Sequence, residues 1–157
     1  MTDPTSLPYR PCAGIMLINA ENKILVGKRL DMQSEHWQMP QGGIDEGEDA
    51  LEAARREMLE EIGTDKAEFI QEIDEWLTYD LPNHLIGKIW KGKYRGQKQK
   101  WFLFRFTGKD SDINIETAHP EFAAWKWTTP EKLVEEIVPF KRELYSIIAK
   151  RFSYHLQ

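Results

Sequence analysis

Residues 42 to 64 read GGIDEGEDALEAARREMLEEIGT. After Gly47 the stretch holds no glycine or proline until Gly63 and consists mostly of Ala, Leu, Glu, Arg and Met, all strong helix formers, with Gly63 standing in the C-cap position. The pattern predicts a helix over 47–62. Leu51, Ala54, Met58 and Ile62 form its apolar stripe, and Ala50 and Ala53 lie beside a row of carboxylates. Glu57, Glu60 and Glu61, at i, i+3 and i+4, project within roughly 100 degrees of arc. Like charges at that spacing repel, so the cluster is favourable only where a cation neutralises it, and hard cations such as magnesium or manganese take oxygen ligands of this kind. A solvated acidic surface has the same appearance, and the triad alone does not choose between the two.

On the N-terminal side, Cys12 to Ile18 is apolar, Asn19-Ala20-Glu21-Asn22 has turn chemistry, and Lys23 to Arg29 resumes with Ile24, Leu25 and Val26, which predicts a hairpin. A loop follows over 31–47, with a short strand at Trp37 to Met39. Beyond the helix, Ala67 to Tyr79 reads as one extended run that ends at Asp80-Leu81-Pro82-Asn83. Gln97 to Phe106 is a strong strand. Its period of two sets Lys98, Lys100, Phe102, Phe104 and Phe106 on one face, opposite Gln99, Trp101, Leu103 and Arg105. Glu121 to Trp127 reads as another strand, Thr129-Pro130 caps a short helix to about Ile137, and Pro139 opens a last helix whose apolar positions are Phe140, Leu144, Ile147, Ile148 and Phe152. Strands and helices interleave without a repeat or linker, so residues 1–157 read as one mixed α/β domain.

The chain has 157 residues with 41% hydrophobic and 30% charged side chains, a composition that excludes disordered and collagen-like classes. One cysteine, Cys12, rules out an internal disulfide framework and a cysteine-rich zinc module, and it fits a reducing, cytoplasmic setting. The N-terminal residues have neither the apolar run of a signal peptide nor that of an anchor, and no segment approaches the ~18 apolar residues of a membrane span. The net charge of -5 argues at first against a nucleic-acid partner. Its distribution argues the other way. Residues 42–64 carry eight acids and two bases, whereas residues 84–109 carry eight bases and no acid, a segment suited to tracking phosphates. There is no phosphate loop of the GxxxxGK[ST] kind and no GxGxxG turn, and the four histidines show no zinc spacing.

Gly42, Glu48, Arg56, Glu57, Met58, Glu60, Glu61 and Gly63 fall on the pattern of the Nudix box, from which only Thr64 departs, in place of an aliphatic residue. The chain resembles the Nudix hydrolase family. The resemblance implies an α/β/α sandwich with a mixed central sheet and a loop-helix-loop that holds Mg2+ or Mn2+ against a pyrophosphate. It implies Glu57, Glu60, Glu61 and the carbonyl of Gly42 as metal ligands, with Glu121 as a further ligand from outside the box. Arg56 then orients a glutamate of the box such as Glu48, and the Glu60/Glu61 pair is favoured over Glu121 for taking a proton from the attacking water.

Further segments, Tyr9-Arg10-Pro11, Trp37 to Gly43, Gly96 to Leu103, Pro120 to Phe122 and Val138 to Tyr145, resemble the bacterial branch of that family that acts on 5'-triphosphorylated RNA or on dinucleoside polyphosphates. That branch implies no role for duplex DNA or membrane, and oligomeric state stays open. Carried over by position, Arg10, Arg29, Lys98, Gln99, Lys100 and Lys141 face phosphates, and Val138 with Phe140 bounds a base pocket. Read without the resemblance, Lys98 and Lys100 are equally solvated strand residues, Phe140 at helical spacing with Leu144 is more often core, and Tyr79 either stacks on a base or caps a strand.

Overall fold

A computed structural model of the chain describes residues 6–30 and 35–157. Residues 1–5 and 31–34 lie outside the described residues, and with them the part of the expected loop over 31–34. The architecture is organised by two strands far apart in sequence, β1 (Tyr9–Ile18) and β7 (Gly96–Phe106), which run parallel from the pair Tyr9 and Gly96 to the pair Ile18 and Arg105. Their alternating side chains decide the layers. Ala13, Ile15, Leu17, Phe102 and Phe104 point to one face, while Met16, Ile18, Trp101 and Leu103 point to the other. Both sets are fully buried, so the sheet needs cover on both sides.

The remaining strands add antiparallel. They are β2 (Ile24–Arg29), β3 (Trp37–Gln38), β4 (Gln41–Gly43), β5 (Ala67–Glu72), β6 (Leu77–Asp80) and β8 (Phe122–Thr128). The main order is β3-β2-β1-β7-β5, with β4 on β1, β6 on β7 and β8 on β2. Helix α1 (Ala50–Ile62) covers the first face through Ala53, Ala54, Met58 and Ile62. Helices α2 (Pro130–Glu136) and α3 (Arg142–Arg151) cover the second through Leu133, Leu144, Tyr145 and Ile148. The expected α/β/α sandwich with a mixed sheet is the fold observed.

Three local differences from the sequence reading have simple causes. Helix α1 begins at Ala50 because Asp49 is the N-cap, its carboxylate accepting from the Leu51 N–H at 3.1 Å, while Gly47 at φ 80° belongs to the preceding loop. The run 67–79 is broken into two strands. Ile73 turns into the core and its N–H bonds to the Trp101 carbonyl, whereas Asp74 and Glu75 stay in water. On α3, Ile147 faces solvent, and the side chain that anchors the helix is Tyr145, whose hydroxyl accepts from the Met39 N–H at 3.0 Å. Among the described residues no helix is long and apolar enough to cross a membrane.

Candidate active site

Where β4 meets α1 and the start of β1, the sheet leaves a cavity of about 270 Å³ walled largely by charged and polar groups. Gly42, Glu57, Glu60, Glu61 and Glu121 line it, together with Arg10, Arg29, Tyr79 and Lys141. Gln38, Gln41, Gly43, Trp90 and Gln97 complete the wall. Helical spacing brings the box glutamates to one place but does not make them equivalent. Glu61 is buried, Glu57 is half-buried and Glu60 is exposed.

Arg56 holds this arrangement together. Its Nε and Nη2 donate to the two oxygens of Glu48 at 2.8 and 2.9 Å, Nη2 also donates to the Gly43 carbonyl at 2.9 Å, and Nη1 donates to Glu57 at 2.9 Å and Glu60 at 3.2 Å. One planar fork therefore ties the loop, β4 and the helix into a unit. Its hydrogen bonds draw the Glu48 carboxyl down to a pKa of about 2. Gly42 is required here by contact. A Cβ at that position would run into the Glu57 carboxylate, so the β4 backbone and that carboxylate are already touching.

Glu61 is the least satisfied group. Its Oε2 is buried without a hydrogen-bond partner, and the Gln41 backbone N–H is the stabilising bond its carboxylate does receive. Burial, then the nearby Glu57 and Glu121 charges, push its pKa well above the usual carboxylate range. Glu57 is pushed up as well, chiefly by burial, and Arg56 opposes the shift. Among the described residues no three His, Cys, Asp or Glu side chains are gathered into a ready-made metal cage. The donor set nonetheless fits a divalent cation: hard carboxylate oxygens, an orphaned buried oxygen at the centre, and mutual repulsion that a cation would relieve.

A second cavity of about 540 Å³ opens beside the first and shares Arg29, Gln38, Tyr79, Trp90 and Lys141 with it. Its remaining lining is mainly apolar, from Leu81, Leu85, Ile89, Ile137, Val138 and Phe140. The Tyr79 and Phe140 rings pack at 5.8 Å, and the Lys141 ammonium lies 5.1 Å from the Tyr79 ring centroid. Desolvation, with Arg29 nearby, pushes Lys141 down to a pKa of about 8. Beneath the cavities Cys12 is buried, and burial raises its thiol to about 11, so it is a thiol and not a nucleophilic thiolate at neutral pH.

The expected residues divide accordingly. Arg10, Arg29, Tyr79 and Lys141 are brought to the acidic cavity, and Val138 and Phe140 to the apolar one. Gln99 is buried behind the wall, where its Nε2 donates to Gln97 at 2.6 Å and its Oε1 accepts from the Trp101 indole at 2.8 Å, so it orients Gln97. Lys98 and Lys100 line neither cavity. Both ammonium groups lie over the Trp76 ring, at 4.8 and 5.4 Å, on the opposite face of β7. Period-two alternation already separates them from Gln97 and Gln99. Trp90 was not legible as a site residue, and its only sequence signal is an aromatic between Gly87 and Gly92 in the basic segment.

The NUDIX domain profile matches residues 8–147, which include β1, the α1 box and the 139–141 turn. The chain belongs to the Nudix family. It is 55% identical over 152 residues to the RNA pyrophosphohydrolase of Roseobacter denitrificans, covering 96% of this chain and 95% of that one. To the RNA pyrophosphohydrolase of Rickettsia prowazekii it is 54% identical over 151 residues, covering 96% and 94%. Among solved structures, the dihydroneopterin triphosphate pyrophosphohydrolase of E. coli superposes with a TM-score of 0.66 at 20% identity, covering 88% of this chain and 94% of that one. A C. elegans Ap4A hydrolase superposes equally well, with a TM-score of 0.66 at 22% identity, covering 92% and 98%. At such identities the structural likeness is one of fold.

Proposed function

We propose that this Nudix protein is an RNA pyrophosphohydrolase that converts 5'-triphosphorylated RNA to the 5'-monophosphate and thereby opens transcripts to decay. The observation that carries the reading is the pairing of cavities. An acidic cavity suited to a cation-bound phosphate chain opens directly onto an apolar one roomy enough for a base, and cationic side chains stand at their junction. The near full-length likeness to RNA pyrophosphohydrolases supports the same substrate class.

In this reading Glu57, Glu60, Glu61 and Glu121, with the Gly42 carbonyl, hold Mg2+ or Mn2+. When bound, the cation neutralises phosphate oxygens and lowers the pKa of water. The chain's own groups do the rest. Arg56 fixes the glutamates so that they need not reorganise as charge develops. Arg10, Arg29 and Lys141 meet the phosphate oxygens between the cavities, and Tyr79, Val138 and Phe140 bound the base. Glu60 or Glu61 takes the proton of the attacking water.

A dinucleoside polyphosphate fits the same acidic cavity, and it is the second reading. Purified protein with magnesium, given triphosphorylated RNA and diadenosine tetraphosphate side by side, is expected to release pyrophosphate from the RNA and leave its 5'-monophosphate. Efficient turnover of the dinucleotide alone would refute the proposal. A Nudix module that only binds nucleotides is the reading of another class, and the presence of every box glutamate argues against it.

A further inference from the structure

Trp90 stands on the wall common to both cavities. It is half-buried, and its position is imposed by an unusual backbone. Trp90 and Lys91 both lie in the left-handed region, at φ 52° and 56°. Neither is a glycine, and a bulky side chain there is disfavoured by Cβ contacts, so surrounding interactions must hold the pair in place. Two are visible at the ring. The Arg10 guanidinium lies over the indole at 5.7 Å from its centroid, and Tyr94 meets it edge-on at 6.2 Å and 75°. Arg10 reaches the acidic cavity as well, so the indole is attached to a group that meets phosphate in the proposed reaction.

We infer that Trp90 is a base-stacking residue that sets affinity for the nucleoside end of the substrate, with Arg10 coupling the stacked base to the phosphates. The inference rests on the proposed reaction. An indole face tolerates every base but gains most from the larger overlap of a purine. Since the phosphate chain in the acidic cavity fixes how far the nucleoside extends, a ring at the junction meets the base as it enters the apolar cavity.

The test compares three substrates with magnesium: triphosphorylated RNA, diadenosine tetraphosphate, and inorganic tripolyphosphate, which has the phosphates but no base. Trp90→Ala is expected to raise KM for the base-bearing substrates relative to tripolyphosphate by at least ~5-fold, with a smaller change in kcat, since stacking acts on ground and transition states alike. Trp90→Phe should restore most of the loss, because it keeps an aromatic face. Equal shifts on all three substrates, or no recovery with Phe, would mean that Trp90 only supports the fold around Arg10 and would overturn the inference. The wild-type arm reads the reaction separately. If only the dinucleotide is cleaved, the RNA assignment falls, and tripolyphosphate measured as a competitive inhibitor supplies the base-free reference that decides the stack. If none of the three is cleaved, both fall.

Discussion

Gly42, Glu57, Glu60 and Glu61 reach the acidic cavity from one short stretch and meet because of helical spacing, whereas Tyr79, Leu85, Trp90, Val138 and Phe140 reach the apolar cavity from a strand, a long loop and the C-terminal segment. The two share a wall but answer to different physics. In the acidic cavity burial and mutual repulsion disfavour the charged carboxylates, a penalty that the cation of the proposed reaction would relieve. The apolar cavity offers surface area, which binds substrate and transition state with similar strength. Changes in the first should appear in kcat, and changes in the second in KM.

The hardest test of that division is Glu61→Gln, and Glu57→Gln beside it. Turnover is expected to fall at least ~10²-fold while the fold persists, since a metal ligand acts mainly on the transition state. Thermal unfolding supplies an independent check. Magnesium at saturating excess should raise the Tm of the wild type through mass action, and the shift should shrink in both variants. Undiminished turnover in both would remove the glutamates from the chemistry.

A smaller effect is expected from Arg56→Ala, which leaves the Glu48 carboxylate without its fork. Loss of charge-assisted hydrogen bonds at a largely covered site should lower stability by about 2 kcal/mol and turnover by roughly tenfold, and Arg56→Lys should recover charge but not geometry. Denaturant unfolding and single-substrate kinetics measure the two. Full activity in the alanine variant would show that the box needs no such brace.

The mildest test concerns Lys141, at the junction. Its folded pKa of about 8 lies below the ordinary lysine value, so the folded state penalises the charged form. Through this group stability rises as pH climbs from about 8 towards the unfolded value, while the cation proposed to meet phosphate is lost from the folded protein as pH passes through about 8. KM for triphosphorylated RNA should therefore rise several-fold between pH 7 and 9.5, and Lys141→Met should flatten the profile at the weaker value. An unchanged pH profile in the variant would place Lys141 outside the phosphate path.

These two regions also explain what could be read from the chain. The acidic wall was legible because α1 is local: a cap, a 3.6-residue period and a glycine stop leave little for tertiary structure to decide. The same period did not say that Glu61 would be buried and Glu60 exposed, which depends on how α1 leans on β4. The apolar wall was legible only in pieces. Tyr79 and Phe140 carried ambiguous aromatic signals until the fold set their rings together at 5.8 Å. Lys98 and Lys100 run the other way, since the resemblance set them against phosphates while strand parity places their ammonium groups over Trp76. Trp90 owes its place to left-handed backbone angles that no periodicity encodes.

The parallel ladder between β1 and β7 has a consequence for synthesis. Tyr9 must wait for Gly96, and Ile18 for Arg105, before the centre of the sheet can close. Such distant pairing is entropically expensive and slow to nucleate. The acidic cavity takes Arg10 and Gln97 from this ladder, and Phe140 and Lys141 of the apolar cavity emerge later still. A ribosome-bound chain thus carries the complete acidic helix long before it carries a site, whose wall is complete only once residue 141 has been made.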